Sequence, residues 1–176
     1  MQSAEESTFQ AGAQGGPQLE LELVSSDARI AGSVSLGAYS RLSDLLNFHD
    51  EILTVSDGAV LTPQATRSAD AAPRLDVRLN ELTLVIDRSN YVPPVDEEQM
   101  IEKREHRMLA VTDAYVITAT FFIYAGAEAV PYLRANEPRW IPVTDVNVRS
   151  LVDREVEFDA KFAVLHRKPL LATAVI

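Results

Sequence analysis

The sequence predicts a mainly β protein made of two tandem small five-stranded domains, each a bent sheet or barrel-like unit with one short helix. Three observations lead there. Apolar residues recur at every second position in several runs, Leu19-Glu20-Leu21-Glu22-Leu23 being the strictest, and that period marks a half-buried strand. The runs are short and separated by turn-forming residues, as in small bent sheets and barrels. The order of elements also recurs along the chain. Ser25-Ser26-Asp27-Ala28 is matched by Val111-Thr112-Asp113-Ala114, 86 positions on, and Val55-Ser56-Asp57 by Val143-Thr144-Asp145, 88 positions on. Landmarks that keep register over such a distance point to a tandem duplication.

Met1–Pro17 is small and polar and ends in a glycine cluster. It cannot bury enough apolar area to offset chain ordering, and reads as a flexible tail. The first domain, 18–91, opens with the Leu19–Leu23 alternation and a second one through Ile30, Gly32, Val34 and Leu36, with Ser26-Asp27 as the turn between them. Leu42, Leu45 and Leu46 then have the spacing of one helical face. Ser40 is positioned to cap that helix and Asn47 to stop it. Ile52–Leu61 reads as strand, and 62–73 as a polar loop. Leu75, Val77 and Leu79 alternate into a turn at Asn80-Glu81, before a last strand at Leu82–Ile86.

The joint, 92–103, contains Pro93-Pro94, which break the strand before them, and an acidic run that suits a short exposed helix. In the second domain, 104–176, Ala129–Asn136 stands where the first domain has its helix. Val156, Phe158, Ala160, Phe162 and Val164 alternate as a long strand, Arg167-Lys168-Pro169 falls at the turn, and Leu170–Ile176 closes the domain.

Composition narrows the function. Hydrophobic residues make up 47% of the chain, enough for a real core, and the net charge of −10 repels phosphate backbones and anionic lipid unless cations cluster. The absence of cysteine excludes disulfides, thiolate metal sites and thiol chemistry. With no secretory signal and no apolar run of about 20 residues, the chain reads as soluble, cytoplasmic and not inserted in a membrane. Charge differs between the domains. Residues 18–91 carry 6 basic and 11 acidic side chains, a net −5, whereas 104–176 carry 9 of each.

The string Arg41-Leu42-Ser43-Asp44-Leu45-Leu46-Asn47, followed by Ile52–Ala59, resembles a family of small bacterial β domains marked by R-L-S-D-x-L-N, a family with no established activity. The likeness spans 18–91 and thins over 104–176, where only Val143-Thr144-Asp145 survives. More distantly, the strand order resembles Sm-type small barrels, although those carry their helix ahead of the first strand. That second resemblance implies nucleic-acid binding, here through Arg139, Arg149, Arg154, Lys161, Arg167 and Lys168, with Trp140, Phe158 and Phe162 among them.

No residue set reads as catalytic, cofactor-binding or metal-ligating. Ser40 and Ser43 have no base nearby, and His49, His106 and His166 belong to no ligand array. Glu20 with Glu22, and Glu155 with Glu157 and Asp159, read as solubilising strand faces, and Trp140, Phe158 and Phe162 as core. What remains is a non-catalytic protein-interaction or scaffold module, with Sm-like nucleic-acid binding as the alternative. Candidate interaction residues are Arg41 and Asp44, an i, i+3 pair on the helix, Asn47, and the apolar end Leu170, Leu171, Val175 and Ile176. An apolar edge strand recruits other chains unless covered, so residues 170–176 are expected in a domain or subunit contact, favouring a homo-oligomer.

Overall fold

A computed structural model describes residues 15–49, 51–61, 67–94, 102–135 and 137–176. The alternating runs become β1 (Gln18–Ser25), β2 (Arg29–Ser35), β3 (Ile52–Leu61), β4 (Arg67–Arg78) and β5 (Leu82–Asp87) in the first half. The second half contains β6 (Lys103–Val111), β7 (Tyr115–Tyr124), β8 (Trp140–Ser150), β9 (Glu157–His166) and β10 (Ala172–Val175). Helices α1 (Leu42–Phe48) and α2 (Ala129–Arg134) lie between the second and third strands of each half. All ten strands join one open antiparallel sheet in the order β10-β6-β7-β8-β9-β5-β1-β2-β3-β4. Divided between β9 and β5, the sheet repeats a single strand order. Each half reads fifth, first, second, third, fourth.

The repetition extends to local geometry. At the β1–β2 turn, the Ser25 N–H donates to the Ala28 carbonyl at 2.9 Å, while the Ala28 N–H donates to Ser25 Oγ at 3.0 Å. At the β6–β7 turn, Thr112 and Tyr115 form the same two bonds at 2.9 and 3.0 Å. The equivalence is therefore Ser25 with Thr112, one position away from the match suggested by the aspartates. In each third strand an aspartate, Asp57 or Asp145, sits at φ +49°. Opposite it three residues of the second strand face four of the third, Ala31–Ser33 against Ser56–Ala59 and Thr118–Thr120 against Thr144–Asn147. Such a bulge bends the sheet and resets which side chains face inward.

The sheet carries two cores, and each contains side chains from both halves. One gathers Met108, Ile117, Phe121, Ile141, Val143 and Leu165 around Val24, Leu84 and Ile86 of the first half. The other gathers Leu19, Leu21, Leu36, Leu45, Leu46, Leu53 and Val85 around Trp140 and Val164 of the second. Because successive side chains of a strand point to opposite faces, β5 and β9 each supply both cores, Leu84 and Ile86 to one and Val85 to the other.

Several expectations change. Strand β4 begins at Arg67, so the polar loop is shorter than read and Pro73 lies within a strand. Proline is tolerated there because β4 is an edge strand, pairing only with β3 among the described residues. Arg41, not Ser40, is the N-cap residue of α1, with no side-chain cap bond, and Asn47 lies inside the helix. Glu22 is not on a solvated face. It is 6% exposed, held by Arg29 and Arg88, because β9 of the other half crosses that face. Phe158 and Phe162 pack against different cores, the bulge at Asp145 having shifted the parity of the β8–β9 pair. Most of the tail (1–14), Asp50, 62–66, most of the acidic joint (95–101) and Asn136 lie outside the described residues. Among the described residues no helix is long and apolar enough to cross a membrane.

Candidate interaction groove

Each half has a groove between its helix and its fifth strand, and the two grooves differ in what fills them. Between α1 and β5, Leu45, Leu46, Leu82 and Val85 pack against Trp140 and Val164 from β8 and β9. Asn47 fixes this contact. Its Nδ2 donates to the Trp140 carbonyl at 2.9 Å, and its Oδ1 accepts from the Trp140 N–H at 2.9 Å, so the amide behaves as one more rung of a strand ladder. Nδ2 also donates to the Ser43 carbonyl at 2.8 Å, which sets the side-chain direction from within the helix. The His166 ring stacks on Trp140, centroids 4.5 Å apart. Its Nδ1 lies 2.9 Å from the Leu82 carbonyl, an acceptor only, so that nitrogen carries the proton. Burial pushes the His166 pKa below its ordinary value and favours the neutral ring.

Between α2 and β10 the corresponding groove is open. It is a cavity of about 640 Å³ whose lining includes Leu133, Ala135, His166, Leu170, Leu171, Ala172 and Thr173. Its charged lining is entirely basic: Arg134, Arg139, Arg167 and Lys168. Arg167 is the unusual member. It is 8% exposed, and its Nη1 donates to the carbonyls of Tyr132 and Ala135, capping the end of α2. Its Nε and Nη2 are buried and have no hydrogen-bond partner among the described residues. Burial lowers its pKa from the ordinary arginine value, but the side chain remains charged. The guanidinium lies over the Tyr132 ring, 5.2 Å from its centroid, so it ties the end of α2 to the β9–β10 turn at the floor of the groove.

The structure distributes the sequence candidates unevenly. Leu170 packs against a core and, with Leu171, lines the groove. Leu171, Val175 and Ile176 are 72%, 55% and 63% exposed within the single chain. Arg41 and Asp44 form no ion pair among the described residues, whose salt bridges are Arg29–Glu22, Arg74–Asp76 and Arg88–Glu22. Of the six basic residues, Arg139, Arg167 and Lys168 line this groove, Lys161 lies in another cavity with Arg88 and Arg107, and Arg149 and Arg154 line neither. Among the described residues no group of three metal-binding side chains converges. The sequence placed Arg167 in a basic cluster but did not reveal that it is buried and caps α2. In the repeat it stands where the first half has buried Leu79, and a charge at a core position is the signal that marks it.

Comparison with protein-family models, curated proteins and solved structures returned no match.

Proposed function

We propose that the chain is a non-catalytic, cytoplasmic protein-interaction module: a duplicated pair of bent-sheet units, akin to the R-L-S-D-x-L-N domains, whose α2–β10 groove accepts the strand edge of a protein partner. One observation carries this reading. The equivalent groove of the first half holds a strand pair, whereas this one is open and bordered by an edge strand. Strand addition to a free edge is a recurrent mode of protein recognition, in which backbone pairing supplies affinity and flanking pockets supply selectivity. A photo-crosslinking residue at Leu171, used in the expressing cell, should give protein adducts that a control at Val152, exposed and not among the residues lining the groove, does not. Equal yields at the two positions would refute the reading. The alternative, nucleic-acid binding, draws on the four cations of the groove; steep salt-dependent retention on a mixed oligonucleotide column would favour it.

A further inference from the structure

We infer that the occupant of the α2–β10 groove is the free β4 edge of a second copy of this chain, so that the sheet continues from chain to chain. This rests on the reading of the groove as a protein-contact site. Inside the chain the halves are joined by a fourth strand pairing with a fifth, β9 with β5, in the register Leu84↔Leu165, Val85↔Val164 and Ile86↔Ala163. The strands left at the two ends of the sheet are again a fourth, β4, and a fifth, β10. Each pairs on one side only among the described residues.

The repeat fixes how these ends would meet. The pairings Trp140↔His166 and Ile52↔Arg78 set the fourth strands 88 positions apart, and Val24↔Leu84 with Val111↔Ala172 sets the fifth strands by the same offset. Transferring the internal junction places Ala172, Thr173 and Ala174 opposite Val77, Asp76 and Leu75 of the next copy. Pro73, which cannot donate to a ladder, then falls two residues beyond that register.

One further feature agrees with this occupant. Ile52 stands where the second half has Trp140, yet it is 50% exposed while Trp140 is 1% exposed. An apolar side chain therefore lacks, at the outer edge, the cover that α1 gives its counterpart. A contact between two different edges is heterologous, closing into a ring if the rotation per chain allows and otherwise extending as a filament.

The absence of native cysteine makes the test direct. Thr173→Cys and Asp76→Cys are purified separately, mixed and mildly oxidised, while light scattering gives the mass of the wild type. The inference expects a disulfide-linked dimer in the mixture and not in Asp76→Cys alone, and a wild-type mass that is a multiple of 19.4 kDa. Ile52→Asp should shift that mass to one chain with Trp140 fluorescence unchanged. A dimer formed by Thr173→Cys alone would show β10 pairing with itself and overturn the inference, as would a monomeric wild type at the highest attainable concentration. Heterologous adducts from the Leu171 crosslinker, together with a monomeric purified protein, would overturn this inference while leaving the groove reading intact.

Discussion

Replacing Asn47 by alanine should loosen the junction between the halves, and the structure gives the size of the effect. The substitution removes two cross-half hydrogen bonds to the Trp140 backbone, each 2.9 Å long. Intramolecular hydrogen bonds contribute about 0.5–1.5 kcal/mol each, and stranding buried partners adds to the loss. The Trp140 N–H and carbonyl would be stranded in this way, since the residue is 1% exposed. Alanine recovers roughly 0.5 kcal/mol through its better helix propensity. The net loss is about 2 kcal/mol, which lowers Tm by roughly 4–8 °C in a chain of this size. Trp140 is the only tryptophan and sits at the contact, so its emission during urea unfolding reports on the affected site. Asn47→Asp retains the acceptor for the Trp140 N–H but sets a carboxylate oxygen against the Trp140 carbonyl, and should be no more stable than Asn47→Ala. A loss below about 0.5 kcal/mol for Asn47→Ala would show that the amide does not hold the junction, because the two bonds together would then contribute less than about 1 kcal/mol, below the range for a pair.

Glu22→Leu leaves Arg29 buried and without its carboxylate, and should cost about 3–5 kcal/mol in urea unfolding; a loss under about 1 kcal/mol would mean that Arg29 finds another acceptor. Because burial lowers the His166 pKa below its ordinary 6.5, the unfolded chain takes up that proton first. The contribution of the neutral ring is thus complete above about pH 6.5 and is lost as the pH falls toward the folded value. Thermal melts of wild type and His166→Gln should converge as the pH drops from about 7.5 to about 5.5, and parallel curves across that window would refute the assignment.

The strands and their repetition could be read in the sequence because both rest on local patterns. The Leu19–Leu23 alternation, the run Ile52–Leu61 and the leucine face of α1 depend on neighbours within a few residues, and all appear as strand or helix. The match between halves was displaced by one position at its first landmark, since Asp27 and Asp113 drew the comparison whereas the hydroxyls of Ser25 and Thr112 make the turn. What stayed hidden depends on contact between the halves. Glu22 has the parity of a solvated face until Phe158 comes to lie against its partner Arg29, whose guanidinium is 4.0 Å from the ring centroid. Asn47 has the composition of a helix stop until β8 arrives beside it. Of the candidate site, Leu170 and Leu171 were identified from their apolar run, but nothing local marks the groove they border.

The sharing of side chains between the two cores bears on cooperativity. If each half had enclosed its own interior, the chain could lose one while keeping the other, and heating would produce two transitions. Here Trp140 and Val164 complete one interior, and Val24, Leu84 and Ile86 complete the other. Opening either half therefore exposes apolar surface in both, so partial unfolding gains little chain entropy for the burial it gives up. The whole molecule should melt as one calorimetric unit, and a gene fragment encoding one half would yield a chain that lacks part of its own interior.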